Sequence, residues 1–340
     1  MSDFVSGPAV TDAKQTLDRL RTSMRQTIKG KDEVIDQVLI CLVAAGHPLI
    51  EDLPGVGKTT LAYSLARSMD CAFARIQFTS DLLPSDVIGV AIYDEQEKRF
   101  VFKKGPVFAN VVLADEINRA PAKVQSALLE VMAERHVSIA GVTHPVPAPF
   151  LVLATQNPIE SEGVYPLPEA QRDRFLLKVL VGHPSAREEA EIVRRMGVRP
   201  PRAGQVLEPA TLLELQAAAD AVFLHDAVVD YAVRLVLATR EPHAHGLADL
   251  APLIAHGASP RATLGLVAAS RALALLRGRR YALPQDVYDV SRDVLRHRVL
   301  LSYEALADGV DADGVVERVV LTVGAPRVTP TQDGPVALAS

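Results

Sequence analysis

From Thr11 to Ala45 apolar residues recur at helical spacing, with positions 34, 35, 38, 39 and 42 forming one stripe after a break at Gly30. Beyond that the texture changes. Short apolar runs, "PLIE" (48–51), "FARIQF" (73–78), "VVLAD" (111–115), "FLVLAT" (150–155) and "FLLKVLV" (175–181), alternate with helical stretches. Runs of this length without polar alternation suit strands covered on both faces of a parallel sheet, and their alternation with helices predicts βαβ units. Two charged stretches interrupt the rhythm and read as inserted hairpins, "VAIYDEQEKRFVFKKG" (90–105) and "RHVSIAGVTHPVPAPF" (135–150). After "VGHPS" the pattern is helical almost to residue 305, and it opens on Ser185 and Glu188 at the spacing of a capping box.

The expected fold class is therefore α/β. A five-stranded, mainly parallel core occupies 11–183 behind a loose leader, 1–10, and is followed by a smaller all-α lid, 184–310. A C-terminal extension, 311–340, turns rich in Pro, Gly and Thr and is expected to be partly disordered.

Composition narrows the class. Of 340 residues 49% are hydrophobic and 23% charged, the balance of a soluble globular chain. No run approaches the roughly 18 apolar residues that a membrane span needs. The opening "MSDFVSGPAV" has no basic segment followed by an apolar one, so a cytoplasmic location is expected. Cys41 and Cys71 are too few for a disulfide framework. Net charge is −5, and the one dense basic cluster, "RGRR" at 277–280, reads as a solvated helix end. A nucleic-acid partner is disfavoured.

The candidate chemistry begins at "EDLPGVGKTT". Gly57-Lys58-Thr59 ends a phosphate-binding loop, G-x-x-x-x-G-K-[ST], although the position of its first glycine holds Asp52. A strand candidate precedes it and "KTTLAYSLARSM" follows with helical periodicity, the context that such a loop needs. Pro54, Gly55, Val56, Gly57, Lys58, Thr59 and Thr60 would cradle a nucleotide, with Gly55 supplying the backbone freedom. Lys58 would reach the β- and γ-phosphates and the Thr59 hydroxyl would ligate Mg²⁺.

Asp115 and Glu116 end the run "VVLADE", where open α/β sheets bind ligands. The first carboxylate would hold Mg²⁺ through water, and the second would orient and deprotonate a water for attack on the γ-phosphate. Asn157 follows the next strand and would hold that water from its other side, although Asn-Pro also starts ordinary turns. Arg172 and Arg174 flank Asp173 before the last strand, where an arginine from a neighbouring subunit could neutralise the transition state or form only a surface ion pair. Ser259 and Pro260 start a helix whose first turn carries Arg261, a cation opposing the helix dipole and so directed at an anion.

Together with "GPVFANVVLADEINRAPAKVQSALLEVMAE", "LVLATQNPIESEGVYPLPEAQRDRF" and "SPRATLGL", these segments resemble the MoxR-type ATPases of the AAA+ superfamily over nearly all of residues 15–305. In that family an acidic residue commonly stands where the first loop glycine would be. The resemblance implies an AAA+ core with a helical lid, Lys58 and Thr59 as Walker A, Asp115 and Glu116 as Walker B, Asn157 as sensor 1, Arg174 as arginine finger and Arg261 as sensor 2. The residue before Asp-Arg-Phe is usually apolar in the family and here is Arg172, so two arginines compete for the finger's role and Arg174 is favoured.

The resemblance further implies ATP and Mg²⁺, a ring, most often a hexamer, and pore-facing hairpins that move a protein client. That client is often a von Willebrand factor A domain protein. Two rival readings are an AAA+ motor or regulator acting on DNA or transcription, and a non-catalytic nucleotide switch. Mixed charge on the 90–105 hairpin argues against the first, and the presence of Glu116, Asn157 and the arginines against the second. A metal centre at His243 and His245 lacks further ligands nearby in sequence, and no G-x-S-x-G or Cys-x-x-Cys is present.

Overall fold

The structure, a computed structural model, describes residues 7–52, 57–96, 98–157, 164–196 and 203–327. Two compact units emerge, one over Gln15–Gln216 and one formed by the N-terminal residues to Lys14 with Ala217 onward.

The first unit begins in α1 (Gly7–Thr27) and α2 (Asp32–Val43). α2 buries residues all round, as the unbroken run "VLICLV" requires. Strands follow as β1 (Pro48–Asp52), β2 (Phe73–Gln77), β3 (Gly89–Asp94), β4 (Arg99–Lys104), β5 (Val111–Asp115), β6 (His136–Ile139), β7 (Val142–Pro145), β8 (Leu151–Gln156) and β9 (Leu177–Val181). Between them lie α3 (Lys58–Ser68), α4 (Pro84–Ile88), α5 (Ala122–Glu134) and α6 (Glu169–Arg172). β2, β5, β8, β1 and β9 form one sheet in that order, with every pairing parallel. This is the five-stranded parallel α/β core that the apolar runs predict.

Burial follows strand position. All of β5 and most of β8 are buried, whereas edge strand β2 turns Arg75 and Gln77 outward. β3–β4 and β6–β7 are the two antiparallel hairpins. Gly89 opens the first at φ 98°, where a side chain would come within 2.4 Å of the Lys103 carbonyl oxygen, so a glycine is required. An aromatic contact joins the hairpins: Phe102 stacks on His144 with ring centres 4.3 Å apart.

α7 (Ala186–Met196) and the start of α8 (Pro209–Asp220) also fall within the first unit. The sequence places the end of the core near residue 183, but the contact boundary lies at 216/217. Polar contacts explain the difference. Arg19 Nη2 donates to the Val206 carbonyl at 2.8 Å, Arg67 Nε to Ala203 at 2.8 Å, and Gln216 Nε2 to Leu42 at 2.7 Å. The capping box that opens α7 forms, with Ser185 N donating to Glu188 Oε2 at 2.7 Å.

The second unit contains α9 (Asp226–Arg240), α10 (Pro260–Leu276), α11 (Pro284–Leu295), α12 (Tyr303–Ala307) and α13 (Ala312–Thr322). α10 packs on α9 and α11, and α13 on both of these. The extension assigned from 311 onward begins with this helix. Asp311 caps it by accepting from Gly314 N at 2.7 Å, and Val315, Val316, Val319 and Val320 are buried. Residues 328–340 lie outside the described residues.

Arginines of the "RGRR" cluster turn onto fully buried Asp286. Arg277 Nη1 and Arg279 Nη2 meet its Oδ1 at 2.7 and 2.6 Å, while Arg279 Nη1 and Leu283 N meet Oδ2 at 2.7 and 2.8 Å. Their charge is spent inside the fold. Among the described residues no helix is long and apolar enough to cross a membrane.

Candidate functional site

Pro54, Gly55 and Val56 lie outside the described residues, and the loop's end is the first part to be placed. Gly57 caps α3 at φ 95°, ψ 21°, the left-handed conformation that a glycine adopts without strain. Leu61 N closes the first helical bond onto the Gly57 carbonyl at 2.9 Å. The amides of Lys58, Thr59 and Thr60 therefore form the helix's open N-terminal turn, where backbone N–H groups and the helix dipole favour an anion.

β5 ends beside that turn. Lys58 Nζ stands 3.8 Å from Asp115 Oδ1, and the Asp115 side chain is only 7% exposed. Glu116 takes φ 56°, ψ 50°, a left-handed conformation unusual for a residue with a side chain, and swings the chain out of the strand into a short 3₁₀ turn, Ile117–Arg119. Thr155 of β8 stabilises this corner. Its hydroxyl donates to Asp115 Oδ1 at 2.7 Å and accepts from Glu116 N at 2.9 Å. Asn157 follows β8 and is buried.

Edge strand β2 supplies the remaining contacts. Its register sets Gln77 level with Asp115. Arg75 reaches Asp115 Oδ2 through Nη2 at 2.6 Å and Nε at 3.2 Å, and Nη2 also donates to Gln77 Oε1 at 2.9 Å. Gln77 Nε2 then donates to Glu116 Oε2 at 2.8 Å, and Arg119 Nε lies 3.3 Å from the same oxygen. Thr155, Arg75, Gln77 and Arg119 were not among the residues singled out from sequence. The available signal was the period-two placement of polar residues in "FARIQF", which marks an outward face of an edge strand.

Ile28, Lys31, Val34, Ile50, Leu61 and Val181 line a small cleft that also touches Gly57 and Lys58. It offers an apolar wall next to an anion-binding turn. The Asp115 carboxylate beside Lys58 and the hydroxyl carried by Thr59, the next residue of α3, are hard oxygen donors of the kind that suits Mg²⁺ rather than a softer metal.

The arginines separate. Arg174 is exposed and donates through Nη1 to the Leu129 carbonyl of α5 at 2.6 Å, while Arg172 is half-buried at the end of α6. Arg261 belongs to the second unit, where Ser259 Oγ caps α10 by accepting from Arg261 N at 3.1 Å, and its side chain is exposed.

Comparison with known proteins agrees with this layout. The profile of the ATPase family associated with various cellular activities matches residues 47–177, and that of the AAA lid domain matches 248–333. Chaperone MoxR1 of Mycobacterium tuberculosis is 56% identical over 313 residues, 92% of this chain and 83% of that protein. Protein MoxR of Paracoccus denitrificans is 35% identical over 82% of this chain and 87% of its own length. A crystal structure of a protein from Cytophaga hutchinsonii superposes with a TM-score of 0.89 at 40% identity, covering 94% of this chain and 98% of that one. With these likenesses running through core and lid alike, the chain belongs to the MoxR family of AAA+ ATPases.

Proposed function

We propose that the protein hydrolyses ATP with Mg²⁺ as a ring, a hexamer, and uses the cycle as a chaperone that remodels or activates a protein client. One observation carries the reading: Asp115, followed directly by Glu116, sits within ion-pair reach of Lys58 at the open N-terminus of α3. The apolar cleft formed by Ile28, Val34, Ile50, Leu61 and Val181 would seat the base. Its phosphates would lie on the amides of Lys58, Thr59 and Thr60, with the Lys58 ammonium against the β- and γ-phosphates. Asp115 and Thr59 would hold Mg²⁺, which when bound neutralises charge developing on the phosphates.

Glu116 would take a proton from the attacking water as its oxygen bonds to the γ-phosphorus and the bond to the leaving β-phosphate oxygen breaks. Asn157 would orient that water. Arg261 would read the nucleotide from the lid, and Arg174, exposed on the protein surface, would serve a neighbour's site. A cytoplasmic setting suits such a cycle.

The hairpins support a protein client. Tyr93 is 54% exposed and Phe100 69%, and their ring centres stand 5.4 Å apart in an edge-to-face pair. Exposed aromatics of this kind suit contact with another chain. Chaperone MoxR1 carries that activity in its name, and clients of the von Willebrand factor A type extend the same reading. Arg277 and Arg279, held by Asp286, offer little to nucleic acid.

The test is ATPase activity per subunit against protein concentration for wild type, Glu116→Gln and Arg174→Ala. Activity should rise with concentration in the wild type and fall by about 10²–10⁴ in Glu116→Gln, with ATP binding kept. In Arg174→Ala it should fall by about 10³ or more. Activity flat with concentration and indifferent to Arg174 would remove the ring and the finger.

A further inference from the structure

The least expected contact at the site is Arg75. Two carboxylates, Asp115 and Glu116, face three cations there, Lys58, Arg75 and Arg119. Lys58 leaves Asp115 if it moves to the phosphates, and Arg119 is paired with Glu116 rather than Asp115. Arg75 is the cation that stays. Its Nη2 and Nε both donate to Asp115 Oδ2, while Thr155 takes Oδ1, so both carboxylate oxygens have protein donors.

Resting on the ATPase reading above, we propose that Arg75 is a positioning residue that competes with Mg²⁺ for Asp115 and thereby sets the Mg²⁺ requirement of nucleotide binding. A hydrated dication approaching Asp115 needs lone pairs that Arg75 engages, and the guanidinium repels it. Both effects act in one direction. The pair is built to yield, because the Asp115 side chain is 7% exposed but Arg75 is 47% exposed, so a displaced guanidinium goes into water at little cost. Gln77, which accepts from Arg75 and donates to Glu116, gives the released arginine a second contact and extends the rearrangement toward the base.

The experiment titrates MgCl₂, at constant ionic strength, into the full-length protein with a fluorescent ATP analogue. Wild type, Arg75→Gln, Arg75→Met and Arg75→Lys are compared. The Mg²⁺ concentration at half-saturation should fall about five- to tenfold in the two uncharged variants, and Arg75→Lys, which keeps the charge, should stay nearer the wild type. Thermal melting with Mg²⁺ and the same analogue should show the matching order of stabilisation. An unchanged or raised Mg²⁺ midpoint in both uncharged variants overturns the proposal and leaves the ATPase reading intact. A wild type that binds no nucleotide at any Mg²⁺ concentration overturns both.

Discussion

Two carboxylates in this protein carry arginine partners, and they behave as opposites. Asp286 lies inside the helical unit, 0% exposed, and four donors from Arg277, Arg279 and Leu283 fill its oxygens. Asp115 lies at the end of a strand and is held by one hydroxyl, one half-exposed arginine and a lysine at 3.8 Å. The first arrangement is cement: the carboxylate is sealed from water and depends on its arginines, of which Arg277 also pairs with Asp289. The second leaves its partners somewhere to go. Similar side chains thus give a structural joint in one place and an exchangeable site in another, and the setting of the carboxylate, sealed among helices or at the open end of a strand, makes the difference.

Three measurements would sharpen or break that contrast. The largest effect is expected at Asp286. Asp286→Ala takes the carboxylate from Arg279 and the Leu283 amide, leaves Arg277 to Asp289, and should cost about 3–5 kcal/mol in denaturant unfolding of the helical unit. A loss below about 1 kcal/mol would mean that this centre is as exchangeable as Asp115.

Next comes His47, buried in the first unit. Its Nδ1 accepts from Val152 N at 3.0 Å and its other nitrogen faces the Met132 carbonyl at 3.4 Å. Burial, with Arg135 nearby, pushes its pKa down from 6.5 to about 3. The unfolded chain then binds a proton that the folded chain refuses, so this contribution is complete above about pH 6.5 and is lost as pH falls toward about 3. Between about pH 7 and pH 5 the wild type should lose about 2 kcal/mol more than His47→Gln. Parallel pH profiles for the two proteins would show that His47 is charged in the fold and sits in a wetter place than its burial indicates.

The smallest effect belongs to Thr155. Thr155→Val keeps the shape but removes the hydroxyl shared by Asp115 and Glu116 N, and should cost about 1 kcal/mol of stability with about a tenfold loss of ATP turnover. Loss of stability without loss of turnover would make the corner at Glu116 a structural joint like Asp286.

Much of this protein was legible before its structure. The apolar runs predicted the five strands of the sheet, because strands buried in a parallel sheet need no polar alternation and such runs stand out. β2 was harder, since it lies at the edge and its polar residues were read as part of a buried run. α13 was missed because Gly314 and the nearby "DGVDADG" mask a valine stripe whose partners are on α9 and α11, far away in the chain.

At the site the division follows the same physics. Lys58, Thr59, Asp115 and Glu116 announce themselves through local spacing, because a phosphate loop and a strand-end carboxylate pair are built from consecutive residues. What the sequence by itself determined was the parallel α/β class, the family and the identity of those consecutive groups. Only the tertiary structure decided that Arg75 and Gln77 stand over Asp115 and Glu116, that Thr155 joins these two, and that the arginines of "RGRR" are turned inward onto Asp286. Those contacts depend on strand register and helix packing between distant segments, and no local pattern records them.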